Sequence, residues 1–230
     1  MCGELARAWG NELFGELDPS EDLYLAAEQH ELGMLEWDRN PALDPHSGLP
    51  VTVQEMDLST HLPLRLRGPE RVRAQSPYAA LLVSLHHTSF YAKPPRLGLL
   101  RKRGRQINSY LASSAEFQRQ LREAVGAPDP QVERNWRLVR AWDGLSHCLM
   151  YDRAPGALEA VPTADGRLAR LEFGARDGVY TLDPWPFEPE RVRASAEARL
   201  LEGPFSDRAS LREGLAAAPR FELSYELVPR

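Results

Sequence analysis

The chain has 230 residues, 43% of them hydrophobic and 27% charged, with a formal net charge of −5. That length and apolar share suit one large domain or a main domain with a smaller appendage, and the mild acidity excludes a global attraction to nucleic acid or anionic membrane. No run of about eighteen apolar residues is present, so no membrane-spanning helix is expected.

The first residues, MCGELARAWGNELF, lack the continuous apolar stretch of a secretory signal. Cys2 and Cys148 are too few for a disulfide framework, and Cys2 lacks the sequence context of a lipid anchor. A cytoplasmic location is the expectation. Residues 3–17 set Leu5, Trp9, Leu13 and Leu17 at helical spacing, and residues 18–38 predict a second helix capped by Ser20. The Pro-, Asn- and Gly-rich stretch 39–50 reads as a loop, and residues 51–76 as a short helix interrupted at Pro63. SPYAALLVSLHHTSFYA (76–92) is apolar on nearly every side apart from its histidines, the mark of a buried helix. A basic connection (93–105) leads to a helix over 106–125, stopped by Gly126 and Pro128, and then to a long helix over 129–152 opened by Asp129 and Pro130. Beyond Pro155 short strand-like stretches alternate with turns, a short helix covers 206–219, and 220–229 alternates as a final strand. The expected fold is α+β: a helical core domain over 1–153, with a small antiparallel β portion over 154–230 packed on it.

Three of these helices put an ionisable side chain where an apolar one belongs. Leu23, Ala27, His30, Met34 and Trp37 form one stripe with His30 at its centre; Glu31 sits about 100° further round and Asp38 two turns along from it. On the long helix, Trp136, Val139, Asp143, Ser146 and Met150 form a stripe centred on Asp143. On the buried helix His86 is flanked by Leu82 and Phe90, and His87 by Val83 and Tyr91, so at least one of the pair faces the interior. Taken singly, each has a plainer explanation. A core histidine is usually satisfied by a backbone carbonyl, and a buried aspartate can be neutralised by Arg137, Arg140 or a helix cap. Taken together, they are most simply explained by pointing at one another. Imidazole nitrogens with carboxylate oxygens make a ligand set suited to Zn, Mn or Fe.

The blocks AWGNELF, AAEQHELGMLEWDRNPALDPHSGLP, SPYAALLVSLHHTSFY, WDGLSHCLMYD and LDPWPF occur in an order that resembles the bacterial domain-of-unknown-function family 3891, over nearly the whole chain. A His-acid doublet on one helix followed much later by Asp-Gly-Leu-Ser on another also resembles, more distantly, the HD-domain metal-dependent phosphohydrolases. That second resemblance implies an HD-like helical bundle with His30, Glu31 and Asp143 as ligands of a divalent metal (Mn, Fe or Zn), and with His86 and His87 as further ligands or acid–base catalysts. The sequence departs from that pattern in two ways. The doublet carries Glu31 where the pattern has Asp, and no histidine stands before His30, the early ligand being absent or lost to a late start.

Lys93, Arg96, Arg101, Lys102, Arg103 and Arg105 concentrate positive charge. Arg101 and Lys102 are candidates to grip a phosphorylated small molecule, against the plainer reading of a solvated loop; Trp37 is a candidate pocket wall. No aromatic residues interleave with these cations, so a single-stranded nucleic-acid platform is not expected. Trp185, bracketed by prolines in LDPWPF, reads as packing of the β portion onto the helices. No GxSxG, P-loop, GxGxxG or CxxC is present, so no organic cofactor is indicated. Three readings follow: a metal-dependent hydrolase of a phosphorylated small molecule or nucleotide, a non-catalytic ligand-binding or sensing protein with a degenerate HD-like pocket, and a scaffold whose buried polar groups only specify packing.

Overall fold

The computed structural model describes residues 1–91 and the backbone of 101–230, with side chains from 104 onward. Helix α1 (Cys2–Ala8) is much shorter than the spacing of Leu5, Trp9, Leu13 and Leu17 implies. Gly10 takes φ +126°, a conformation that ends a helix, and donates its N–H to Pro186 O at 3.0 Å. Leu13 is consequently exposed, while Phe14 is fully buried in its place.

The second expected helix is also broken. Helix α2 (Ser20–Gln29) stops at His30; a 3₁₀ turn (Leu32–Met34) and helix α3 (Leu35–Arg39) follow. The break has a steric cause. Gly33 lies against the next helix, α4 (Leu58–Arg73), so closely that a Cβ there would sit 2.2 Å from Leu64 O. Helix α4 in turn runs straight through Pro63 and Pro69 instead of stopping at the first. Each proline leaves the carbonyl four residues earlier without its helical partner. For Pro69 that carbonyl is Arg65 O, which faces His87 Nδ1 from the neighbouring helix at 3.3 Å.

Helix α5 (Pro77–Ser89) is the buried one. Ser76 caps it by accepting from Ala79 N–H at 3.0 Å, and Pro77 occupies its first turn. Helices α6 (Arg101–Val125) and α7 (Asp129–Met150) complete the helical layer. The buried face of α7 carries Leu138, Trp142, Leu145 and Leu149, so the stripe is rotated from its expected centre. Asp143 therefore stands at the margin of the core, and Met150 is exposed.

The expected small antiparallel C-terminal portion on an HD-like bundle is corrected. Strands β1 (Gly156–Pro162), β2 (Leu168–Arg176), β3 (Val179–Asp183), β4 (Val192–Arg199) and β5 (Arg220–Pro229) form one mixed five-stranded sheet in the order β1-β2-β3-β5-β4. β5 is parallel to β3 and antiparallel to β4. The physical reason lies between β3 and β4. Residues 184–188 leave the sheet to cover α1: Glu188 N–H donates to Ala8 O at 3.0 Å, and Trp9 bridges to Phe187. β4 therefore cannot fold back onto β3. A slot one strand wide remains, and after helix α8 (Arg208–Ala217) the last strand fills it.

Helices and sheet share one core. Trp9 meets Phe14, Trp142 and Phe187 edge-on at 5.4, 5.9 and 5.5 Å, joining α1, α7 and the 184–188 segment. Trp185 packs on Phe187 at 4.9 Å, and Asn11 Nδ2 donates to Trp185 O at 2.8 Å. Glu4 of α1 accepts from Ser195 N–H and hydroxyl at 2.7 and 2.9 Å, tying the first helix to β4. Among the described residues no helix is long and apolar enough to cross a membrane.

Two glycines give opposite expectations. Gly33→Ala forces the 3₁₀ turn off α4 and should cost about 1–3 kcal/mol. Gly104→Ala, in α6 with none of the described residues within 4 Å of its Cβ, should stabilise by roughly 0.5–1 kcal/mol. Denaturant unfolding of both variants checks the pair.

Candidate metal centre

The unwinding of α2 at His30 fixes the first side chain of the site. His30 is buried, and its Nδ1 lies 2.9 Å from Ala27 O. Nδ1–H donates to Ala27 O, and Nε2 faces Asp143 Oδ1 at 3.4 Å, where its N–H donates to the carboxylate when the ring is protonated. This arrangement matches the way metal-binding histidines are usually oriented, through a backbone carbonyl on the other ring nitrogen. Helix α5 supplies His86, fully buried, with Nε2 at 3.6 Å from Asp143 Oδ2. Neither ring nitrogen of His86 has a hydrogen-bond partner among the described residues. Helix α7 supplies Asp143 and, one turn on, His147, whose Nε2 is 3.5 Å from Asp143 Oδ1. Three imidazoles from three helices thus surround one carboxylate.

Sulfur is also present. Donor atoms of Cys2, His30 and Asp143 all lie within 4.8 Å of one another. The Sγ of Cys2 donates to Trp142 O at 3.7 Å, and Ser146 also interacts with the thiol.

Electrostatics follow from burial and from these neighbours. Burial alone would drive Asp143 up, but the hydrogen bond from His30 and the surrounding imidazoles hold its carboxyl well below the usual carboxylate range. Burial pulls His30 down, and Asp143 more than reverses it, so His30 lies above the ordinary histidine value. His86 has the same carboxylate nearby, yet full burial pushes it down to about 3, and it stays neutral. Burial pushes the Cys2 thiol up to about 11.

The remaining sequence candidates separate. Glu31, on the exposed residue that follows the helix break, is 4.0 Å from His30 Nε2 and is held instead by Arg65 Nη1 at 2.5 Å. Its extra methylene and the local unwinding turn the carboxylate toward α4. His87 does not face the centre. Its Nε2 lies 2.8 Å from His30 O and its Nδ1 3.3 Å from Arg65 O, the two carbonyls released by the helix break and by Pro69. Burial holds its ring neutral, so a single N–H serves them, and the closer contact to His30 O takes it. Trp37 packs on Met34, Met56 and Leu64 in a small separate cluster, and Asp38 is exposed. Residues 93–100 of the basic connection and the side chains of Arg101 and Lys102 lie outside the described residues, while the backbone of 101–105, expected as part of the connection, belongs to α6.

The centre forms the floor of a cavity of about 920 Å³. Asp143, Glu31 and His147 line it, whereas the buried His30 and His86, and Cys2, are not among its lining residues. Met56, Leu58, Phe90 and Leu158 make an apolar wall, and Arg65, Arg137, Arg140 and Arg153 supply positive charge. Arg65 Nε donates to His61 Nε2 at 3.0 Å, and His61 Nδ1 meets Tyr91 OH at 3.2 Å, which orders that side of the cavity.

Four of these residues were not singled out by sequence reasoning. Cys2 had no signal beyond its type. His61 and Arg65 lay in a segment whose prolines hid a continuous helix. His147 stands four residues after Asp143, a spacing that places two side chains on the same helical face and could have found it.

Fold and site together define an α+β protein with a buried imidazole–carboxylate cluster beneath a cationic cavity. A family model described as "Protein of unknown function (DUF3891)" matches residues 1–203, and the chain belongs to that family. No curated protein and no solved structure matches the chain.

His87→Phe removes the donor to the buried carbonyl of His30 and should cost about 1–3 kcal/mol. Its metal content should equal that of the unaltered protein, since His87 faces away from Asp143. Unfolding midpoints and metal analysis of the same sample check both halves.

Proposed function

We propose that the protein is a metal-dependent hydrolase of phosphorylated small molecules, a nucleotide being within the size of the cavity. The observation that carries this reading is the position of Asp143. One side of it meets His30 and His86, both sequestered from water, and the other opens onto a cavity lined by arginines. Ligands on the closed side and free space on the open side are the layout of a catalytic metal, as opposed to a fully enclosed structural one.

The donors fit a divalent cation of the Mn, Fe or Zn type. His30 Nε2, facing Asp143, offers a lone pair once its proton is displaced by a cation, and both nitrogens of His86 are buried without partners among the described residues, a cost that a ligand to Nε2 offsets. A divalent cation held there supplies positive charge that polarises a phosphoryl oxygen and acidifies water. The chain's own residues do the rest. Arg137, Arg140 and Arg153 hold the anionic group at the cavity wall. Water attacks phosphorus, the phosphorus–oxygen ester bond breaks, and the leaving oxygen takes a proton. His147, partly exposed in the wall and hydrogen-bonding distance from the Asp143 carboxylate, is the imidazole placed to give that proton. His86, buried and not among the residues lining the cavity, has no path to the substrate and serves as a ligand.

One observation favours a second reading, ligand binding without turnover. Glu31, the acid of the doublet, is committed to Arg65 and leaves the centre one carboxylate short. The two readings part on activity.

Purified protein should carry close to one divalent metal per chain and hydrolyse phosphomonoesters or phosphodiesters in a panel supplemented in turn with Mn, Co and Zn, turnover with at least one of them being the expected result. The double variant His30→Ala with Asp143→Ala should lose both properties while remaining folded by circular dichroism. His147→Gln should retain metal and lose about 10²–10⁴-fold in kcat, the usual worth of a positioned proton donor. Negligible metal in both the native protein and the double variant would end the hydrolase reading; full metal with no turnover on any phosphoester would favour binding without catalysis.

A further inference from the structure

We propose that Cys2 is a thiolate ligand of this centre and that it sets the class of metal, selecting Zn(II), Fe(II) or Co(II) over Mg(II) and Mn(II). The inference rests on the metal reading above and adds to it a sulfur donor that changes the chemistry of the site.

The geometry places the thiol where a ligand is needed. Sγ and donor atoms of His30 and Asp143 fall within 4.8 Å of one another. In a tetrahedral zinc site with Zn–S near 2.3 Å and Zn–N near 2.0–2.1 Å, neighbouring donors stand about 3.5 Å apart. His30 Nε2 and Asp143 Oδ1 are already 3.4 Å apart. The sulfur has to close by only about 1 Å, which a χ1 adjustment of a short side chain achieves.

The thiol is also aimed by its surroundings. Leu5 N–H closes the first turn of α1 onto Met1 O at 3.1 Å. Gly3 is pressed against the stem of Glu28 on α2, where a Cβ would come within 2.4 Å of Glu28 Cγ. Glu4 is tied to the backbone and side chain of Ser195. The backbone on both sides of Cys2 is therefore fixed by α2 and by β4, and the side chain is directed at α7.

A second observation points the same way. His86 is fully buried, and neither of its ring nitrogens has a partner among the described residues, while Nε2 stands 3.6 Å from the far oxygen of Asp143. Cys2, His30 and Asp143 make a compact set of S, N and O donors, with the unsatisfied imidazole of His86 beside the second carboxylate oxygen. The cavity faces the remaining position. On binding, the cysteine S–H bond breaks, sulfur donates its pair to the cation, and the proton leaves to solvent. A thiolate is a soft donor, and soft donors disfavour the hard cations Mg(II) and Mn(II).

Cobalt(II) reports the sulfur directly, because a cobalt–thiolate bond gives an intense charge-transfer absorption in the near ultraviolet that nitrogen and oxygen ligands do not. Metal-stripped protein is loaded with one equivalent of cobalt(II), and both bound cobalt and the spectrum are recorded. The expected result is stoichiometric uptake with the charge-transfer band, the same band in Cys148→Ser, and loss of the band in Cys2→Ser with affinity at least tenfold weaker. Loss of an outer partner alone costs roughly 10–100-fold. Cobalt bound without the band in the unaltered protein, or a band that survives Cys2→Ser, overturns the thiolate ligand and leaves the metal centre standing. No cobalt uptake overturns both. If Cys2→Ser does not fold, Cys148→Ser decides the point, because Cys2 is then the one thiol in the chain: a band that persists supports the thiolate ligand, and a band that disappears overturns it.

Discussion

Asp143 carries a carboxylate into a position that water reaches from one side only, and an ionised carboxylate withdrawn from water has to be compensated. The protein supplies three imidazoles, from α2, α5 and α7, within 3.4 to 3.6 Å. Such a cluster is a poor stabiliser. Replacing buried ionic groups by apolar ones of similar volume is often neutral or favourable, and His86 adds two buried nitrogens with no hydrogen-bond partner among the described residues. Packing alone therefore gives little reason to retain this arrangement. A cation in the position proposed above would supply one, by compensating the carboxylate and taking the Nε2 lone pair that His30 exposes on losing its proton.

The helical layer is bent to make the meeting possible. α2 unwinds at His30, which frees His30 O, and Pro69 in α4 frees Arg65 O. His87 lies against both carbonyls. The adjacent histidines of α5 thus divide the work: His86 faces the carboxylate, and His87 satisfies the backbone that holds His30 in place. Gly33 and Gly68 permit the close approach of the unwound turn to α4. The irregularities that make α2 and α4 poor helices are the ones that aim the site.

Much of this was legible in the sequence, for a physical reason. A titratable residue on an apolar stripe violates a strong pattern, and His30, His86 and Asp143 do so on three separate helices; the structure brings these three together. The family resemblance also held over most of the chain. Other features carried no local signal. Cys2 meets residues 28 and 141 positions away, and nothing in MCGE encodes that contact. Pro63 looked like a helix end, because propensity is local while the partners that tolerate the freed carbonyls are tertiary. His87 was indistinguishable from His86 by spacing, since both flanking sets are apolar. In the sheet, alternation identified RFELSYELVP as a strand. Alternation fixes which face a side chain takes and says nothing about which strand lies beside it. The parallel insertion of β5 depended on the 184–188 segment leaving the sheet to cover Trp9, an event decided by the core and not by the strand.

Anomalous diffraction from crystals of the zinc-loaded protein examines the centre itself. The account predicts a single strong peak at the cavity floor, within about 2.0–2.3 Å of His30 Nε2 and an Asp143 oxygen. A map at full zinc saturation with no peak there, and with His30 and Asp143 still hydrogen-bonded directly to each other, would contradict it.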